Sequence, residues 1–315
     1  MSFQFTLQEN GYRLIKPTMR KTQTLLSALI ICMTVCSSFT TPQKNDDESP
    51  VNTATSLIDA GEYRLALKTL KDCDALFADA LRMEAYNGLN RTKKAVRYGV
   101  EYLDELGRQH IKDSTVSLSS YVSTEVHDVL NRNWKYASRQ IRKRLVGQEC
   151  NTQLQMMQGR LYQTNGLYDE AIEQYDKVMD YCRGIGLRDF GTDWLCVWKS
   201  DCYYGLEDYG NAVRTISQAI EANNSRDYHQ LCRRGFYYMQ QGKFNEAMED
   251  YSKAAKANPN NAEAYFGRCA VLYMQGKLDE AKAEYGKGIK IDPAMECLEY
   301  DDKLMDIVTE LSKGI

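Results

Sequence analysis

RRGFYYMQQGKFNEAMEDYSKAAKANPNN, Arg233 to Asn261, decides the fold when set against GRCAVLYMQGKLDEAKAEYGKGIKIDP, Gly267 to Pro293. Gly242 and Gly276, Ala247 and Ala281, Tyr251 and Tyr285, and Pro259 and Pro293 each stand 34 residues apart. A fixed period of this size marks stacked copies of one helical unit. The frame continues back to Tyr203, Tyr209, Ala212 and Ala219, and again to Gly159, Tyr162, Gly166, Tyr168, Ala171 and Tyr175. Gly166, Gly242 and Gly276 stand where a left-handed residue closes a first helix without a Cβ clash. Ala171, Ala212, Ala247 and Ala281 fall early in the second helix, where a small side chain admits a close neighbour. Tyr175, Tyr251 and Tyr285 follow four residues later on the same face and plug the space between pairs. Pro259 and Pro293 stop the second helix. In the second copy Asn224 replaces that proline and Glu207 replaces the glycine, which softens the turns and leaves the helical period intact.

The pattern resembles the tetratricopeptide repeat. The resemblance implies an all-α protein, a right-handed α-solenoid of helix hairpins with a C-terminal capping helix. Four repeats are expected over residues 151–294, with pairs beginning near Thr152, Asp193, Tyr228 and Asn261. The first two starts are 41 residues apart, so RGIGLRDFGTDW (Arg183 to Trp194) holds about seven extra residues that lengthen a helix or form a loop. In residues 295–315, Leu304, Ile307, Val308 and Leu311 make one apolar stripe, suited to a helix that shields the last repeat. Residues 51–106 carry two degenerate hairpins, one marked by Gly61, Tyr63 and Ala66 and the other by Tyr86 and Ala95. Residues 107–150 suggest a polar loop from Gly107 to Ser120. A long amphipathic helix through Val122, Val126, Val129, Trp134, Ala137, Ile141 and Leu145 follows it.

The N-terminal region has a different grammar. LLSALIICMTV (Leu25 to Val35) is uncharged, follows Arg20 and Lys21, and precedes the small residues Cys36, Ser37 and Ser38. Basic residues, a short apolar run and small residues describe an export signal, placed here in residues 1–40. A membrane span needs about 20 apolar residues, so a single N-terminal anchor is the alternative. Translation from Met19 rather than Met1 would give a conventional leader. Cleavage near Ser37, or lipid attachment at Cys36 in a bacterial lipoprotein, are the two exits; Met33-Thr34-Val35 departs from the usual lipoprotein pattern. Residues 41–50 form a polar tether. These features place the protein outside the cytoplasm, periplasmic or attached to the envelope of a bacterium.

With 315 residues, 43% of them hydrophobic and 26% charged, the chain is neither a disordered tail nor a polytopic membrane protein. A formal charge of -3 argues against a broadly cationic nucleic-acid binder. Arg139, Arg142, Lys143 and Arg144 fit the exposed last turn of a helix, where cations complement the dipole; a nucleic-acid or anionic-lipid contact is the alternative reading. His110, His127 and His229 are too few and scattered for a metal site. No phosphate loop, dinucleotide fingerprint or serine elbow is present, so no enzyme and no cofactor is expected. The cysteines lack CxxC spacing. Cys150 and Cys182 flank one hairpin and could pair if exported, while Cys232 and Cys269 suit small core positions.

The family lines a concave groove with one face of each first helix. Carried over to this sequence, that face holds Met156, Arg160, Trp194, Val197, Asp201, Tyr204, His229, Cys232, Phe236, Met239, Phe266 and Tyr273. Its aromatic and sulfur-rich composition suits a peptide or partner helix with apolar anchors. Met156, Val197, Cys232 and Phe266 stand where chaperone-binding members place a carboxylate-holding residue, so a chaperone tail is not implied. Trp194 and Phe236 divide evenly between groove and interhelix core; Trp198, off the frame, belongs to the core. The expected role is a non-catalytic protein–protein scaffold, with glycan binding through the aromatic rings as the alternative.

Overall fold

A computed structural model describes residues 49–75, 77–112, 124–148, 151–185, 192–222, 227–298 and 302–312. The export segment, Met19, Cys36 and the tether as far as Glu48 lie outside the described residues, as does Cys150. Among the described residues there is no strand, and no helix is long and apolar enough to cross a membrane.

The chain divides at Cys73 into two units. The first contains a helix pair, α1 (Pro50–Asp59) and α2 (Tyr63–Thr69). Ser49 caps α1 by accepting from the Asn52 amide at 3.2 Å, and Pro50 opens the helix where its missing N–H is not needed. Gly61 makes the turn at φ 77°. The sequence reading grouped this pair with the next, in 51–106; the structure places the boundary between them.

The second unit runs from Asp74. It begins with α3 (Ala78–Gly88), α4 (Thr92–Lys112), α5 (Thr124–Asn131) and α6 (Trp134–Leu145). Four pairs follow: α7 (Thr152–Thr164) with α8 (Tyr168–Gly184), α9 (Thr192–Gly205) with α10 (Tyr209–Ala222), α11 (Tyr228–Gln240) with α12 (Phe244–Ala257), and α13 (Ala262–Met274) with α14 (Leu278–Ile291). Their starts fall within one residue of the expected ones. A short 3-10 turn (Glu296–Leu298) leads into α15 (Asp302–Ser312), which buries Leu304 and Val308 against the last pair. The three extra residues of α8 relative to α10 (17 against 14) take up part of the insertion.

One turn recurs throughout. After α7, the Leu167 amide donates to the Tyr162 carbonyl at 2.9 Å, with Gly166 left-handed at φ 75°. The same bond joins Lys243 to Tyr238 and Lys277 to Leu272, with Gly242 and Gly276 at φ 71° and 76°. Asp208 donates to Tyr203 in the same way, although the left-handed position is Glu207, at φ 59°. Asn90 (φ 55°) repeats it between α3 and α4. The hydrogen-bond pattern dictates the turn, and glycine is the least costly residue for it, not an obligatory one.

Two elements differ from the sequence reading. The polar stretch expected to break at Gly107 continues as α4 to Lys112. Gly107 is a packing residue: a Cβ there would lie 1.8 Å from Asn151 Oδ1. The single long helix expected after it is two, α5 and α6, parted at Arg132 and Asn133. Asparagines on both sides of Arg132 favour a turn over helix interior. Asn131 is also engaged elsewhere, accepting from Asn165 Nδ2 at 2.8 Å. The apolar stripe survives the break because Val126, Val129, Ala137 and Ile141 all enter one core.

That core joins the upstream helices to the first repeat, since Leu154, Met157 and Leu161 of α7 pack with Met83, Val100 and Leu130. A polar clasp runs beside it. Asp104, buried on α4, accepts from Arg144 Nη1 at 2.7 Å and from Asn151 Nδ2 at 3.1 Å. Asn151 in turn caps α7 by accepting from the Leu154 amide at 3.2 Å. Gln158 donates to Ser138 Oγ at 2.7 Å, and His127 Nε2 lies 3.0 Å from Thr164 Oγ1. Further along, a buried charge pair repeats with the period: Arg234 grips Asp250 through two bonds of 2.7 and 2.8 Å, and Arg268 reaches Glu284 at 3.1 Å, 34 residues on.

Candidate functional site

The second helices α8, α10 and α12 are each sandwiched between their own first helix and the next one, with a buried alanine at the contact. Ala171, Ala212, Ala247 and Ala281 are fully buried. Tyr251 of α12 shows why glycine recurs on the first helices: its ring lies between Gly235 of α11 and Gly267 of α13. Tyr175 lies against Gly159 in the same manner, with its hydroxyl donating to Gln163 Oε1 at 2.8 Å. The groove residues carried over from the family stand on α7, α9, α11 and α13, the first helices of the four pairs.

The structure separates those residues into two sets. Met156, Val197, Cys232, Phe236, Met239 and Phe266 are buried. Phe266 is 0% exposed, with its ring pressed on Gly288 of α14; the others fill the seams between helices. They are interhelix core and do not present a surface, because a stacked array needs its apolar first-helix residues to close the gap to the following pair. Phe236, divided evenly by the sequence, resolves to core: it packs on Tyr204 with ring centroids 5.4 Å apart. Trp194 resolves the other way, remaining 46% exposed at the start of α9. Arg160, Asp201, Tyr204, His229 and Tyr273 are partly exposed.

The partly exposed set is linked across neighbouring first helices. The Arg160 guanidinium sits 4.8 Å from the centre of the Trp198 ring, joining α7 to α9. Asp201 of α9 pairs with Arg233 of α11 and accepts from the Tyr237 hydroxyl at 2.7 Å. The Asp201 charge holds the Arg233 guanidinium even more firmly protonated than usual. His229 of α11 pairs with Glu263 of α13 at 3.5 Å, and that contact raises the imidazole pKa. Trp198, Arg233 and Glu263 are therefore part of the face, though the groove frame omits them, and the buried Tyr237 supports Asp201 from beneath. Opposite charges near one repeat length apart, Asp201 with Arg233 and His229 with Glu263, are the signal that could have found them.

This face offers charge, hydrogen bonds and ring surfaces for holding another molecule. Among the described residues no three His, Cys, Asp or Glu side chains gather closely enough to hold a metal ion. The buried cysteines are poor nucleophiles: burial pushes the Cys182 thiol up to about 11 and those of Cys202 and Cys269 up to about 12. Cys182 is a free thiol; its suggested partner Cys150 lies outside the described residues.

Models of the tetratricopeptide repeat match residues 152–184, 195–226 and 262–294, and a model described as TPR repeat matches residues 237–276. No curated protein sequence matches the chain. Among solved structures, a crystal structure of MamA is 20% identical, covers 55% of this chain and 96% of that one, and superposes with a TM-score of 0.46. A structure of YrrB, described as a TPR protein with an unusual peptide-binding site, is 17% identical over 65% of this chain and 96% of that one, TM-score 0.45. The TPR domain of Arabidopsis OM64 is 20% identical over 39% of this chain and 96% of that one, TM-score 0.33. The repeat models fall on the four helix pairs, and over residues 152–294 the chain is a tetratricopeptide-repeat protein.

Proposed function

We propose that this protein is a non-catalytic scaffold of the bacterial cell envelope that holds a peptide or partner helix against the exposed face of α7, α9, α11 and α13. Trp194 is the observation that carries the reading. A large ring left 46% exposed on α9, the helix that also carries Asp201 of the Asp201–Arg233 pair, has the makings of an anchor point with a polar rim. The inter-helix pairs keep that rim in place before a partner arrives, which limits the ordering cost of binding. Envelope placement rests on the sequence of residues 19–38 alone.

The test is a display library of random peptides panned on the wild-type chain, with enriched clones re-measured on Trp194→Ala. Loss of binding by tenfold or more, with the far-UV spectrum unchanged, supports the proposal. Trp194 is chosen over Phe236 because truncating the buried ring would destabilise the array and confuse the readout. Unchanged affinity in Trp194→Ala overturns the anchor. Exposed tryptophan also offers a stacking face to sugars, so a glycan array is run in parallel: a glycan bound by wild type and lost in Trp194→Ala, with no peptide enriched, would favour the sugar reading instead.

A further inference from the structure

The most one-sided charge among the described helices lies on α6, outside the four repeat pairs. Its twelve residues, WKYASRQIRKRL, hold five cations and no carboxylate. Arg144 is engaged inward by Asp104 and Glu101, at 2.7 and 3.3 Å. Lys135, Arg139, Arg142 and Lys143 are exposed, and among the described residues they form no ion pair. Advancing about 100° per residue puts these four within an arc of about 100°, over roughly 12 Å of helix axis. Ala137, Ser138 and Ile141 occupy the opposite, buried side. Val146, which ends the helix, falls in the same arc and is 80% exposed, the most open of the exposed large apolar side chains.

We propose that this outer face of α6 docks the protein on an anionic lipid bilayer. A line of unneutralised cations beside a protruding apolar side chain matches an interface with charged headgroups above and hydrocarbon below. Helix-dipole complementation accounts for cations in the last turn only, and Lys135 and Arg139 lie outside it. The chain as a whole carries a formal charge of -3, which opposes free approach to a soluble polyanion. A protein already kept beside a membrane needs the stripe only to set its orientation. The inference uses the envelope placement proposed above to say where the bilayer is met; the binding it asserts is independent of the peptide face.

Full-length protein is sedimented with vesicles of phosphatidylcholine alone and with vesicles containing phosphatidylglycerol. The apolar stretch Leu25 to Val35 is present in every variant, so its contribution is common to all. Lys135→Gln/Arg139→Gln/Arg142→Gln/Lys143→Gln is expected to lose roughly 600-fold in partition onto phosphatidylglycerol vesicles, at about fivefold per cation, and to leave phosphatidylcholine unchanged. Should that variant melt lower, Arg139→Gln/Arg142→Gln replaces it, with a loss of about 20-fold expected. A control removing Lys177, Arg183 and Lys253, which are paired with Glu173, Asp180 and Glu249, should move partition less than about threefold. Wild-type partition by the stripe variant overturns the proposal. So does tighter wild-type binding to polyglutamate or an oligonucleotide than to the anionic vesicles, abolished by the same substitutions.

Discussion

Adding one methyl group at Gly267 and one at Gly286 should move stability in opposite directions. Both glycines lie inside helices, α13 and α14, so each alanine substitution should gain up to about 1 kcal/mol of helix propensity. At Gly286 nothing lies within 4 Å of the new Cβ, and the gain is kept. At Gly267 the Cβ would stand 2.2, 2.3 and 2.5 Å from Cε1, Cζ and Cδ1 of Tyr251. Comfortable carbon contacts begin near 3.5 Å, so the ring must retreat by about 1 Å. It has little room to retreat, being fully buried with Gly235 on its other side. Overpacking of this kind costs about 1–3 kcal/mol, and a displacement this large belongs at the upper end. Net of propensity, Gly267→Ala should destabilise by about 2 kcal/mol and Gly286→Ala should stabilise by about 0.5–1 kcal/mol. Thermal and urea unfolding followed by far-UV circular dichroism would read the difference, with about 2–4 °C in midpoint per kcal/mol for a body of this size. Repeat arrays can unfold in stages, so the comparison is between variants under one protocol. In a Tyr251→Leu background the methyl at 267 should lose most of its penalty. If Gly267→Ala raises the midpoint as Gly286→Ala does, the tyrosine slot between hairpins is not what spaces the repeats.

Glu207→Gly should stabilise by about 0.5–1 kcal/mol, because relieving a left-handed glutamate outweighs glycine's extra freedom when unfolded; an unchanged or lower midpoint would count against a left-handed residue there. His127 and His229 should bend the pH profile in opposite senses. Burial, with help from the Arg160 charge, lowers the His127 pKa, so the unfolded chain takes up the proton first and stability falls as pH drops below about 6.5. His229, raised by Glu263, stabilises below the unfolded pKa and loses that contribution as pH rises through its folded value. Melting midpoints of His127→Gln should therefore vary less on acidification than wild type, and those of His229→Gln more; the reverse order would refute both assignments. Cys182, Cys202 and Cys269 should alkylate at pH 8 at least about 10²-fold more slowly in the native protein than in urea, and prompt native labelling at Cys202, seen by peptide mass mapping, would contradict its burial.

Periodicity carried the architecture. Glycine, alanine and tyrosine at one spacing determined where hairpins begin and which residues stack, because those contacts are between neighbours and recur with the chain, and the apolar stripe of Leu304, Ile307, Val308 and Leu311 marked the cap. The left-handed turn could be read even at Glu207, by position rather than by residue type. What a residue does in three dimensions was another matter. Gly107 has the composition of a loop and serves as a packing contact for Asn151; Asn133 interrupts a helix whose apolar pattern runs straight through it. The candidate face shows the division most sharply. The family resemblance assigned Trp194, Phe236 and Phe266 to the groove-lining side of their helices, yet of these three only Trp194 remains on the surface. A position in the repeat specifies direction around one helix axis, whereas exposure depends on how near the next helix comes, and that distance is decided by residues more than 20 positions away, such as Gly288 beneath Phe266 or Tyr204 beside Phe236. Likewise the cations of α6 were visible as a cluster in sequence, but only the tertiary structure showed that Arg144 turns inward to Asp104 while its neighbours stay in solvent.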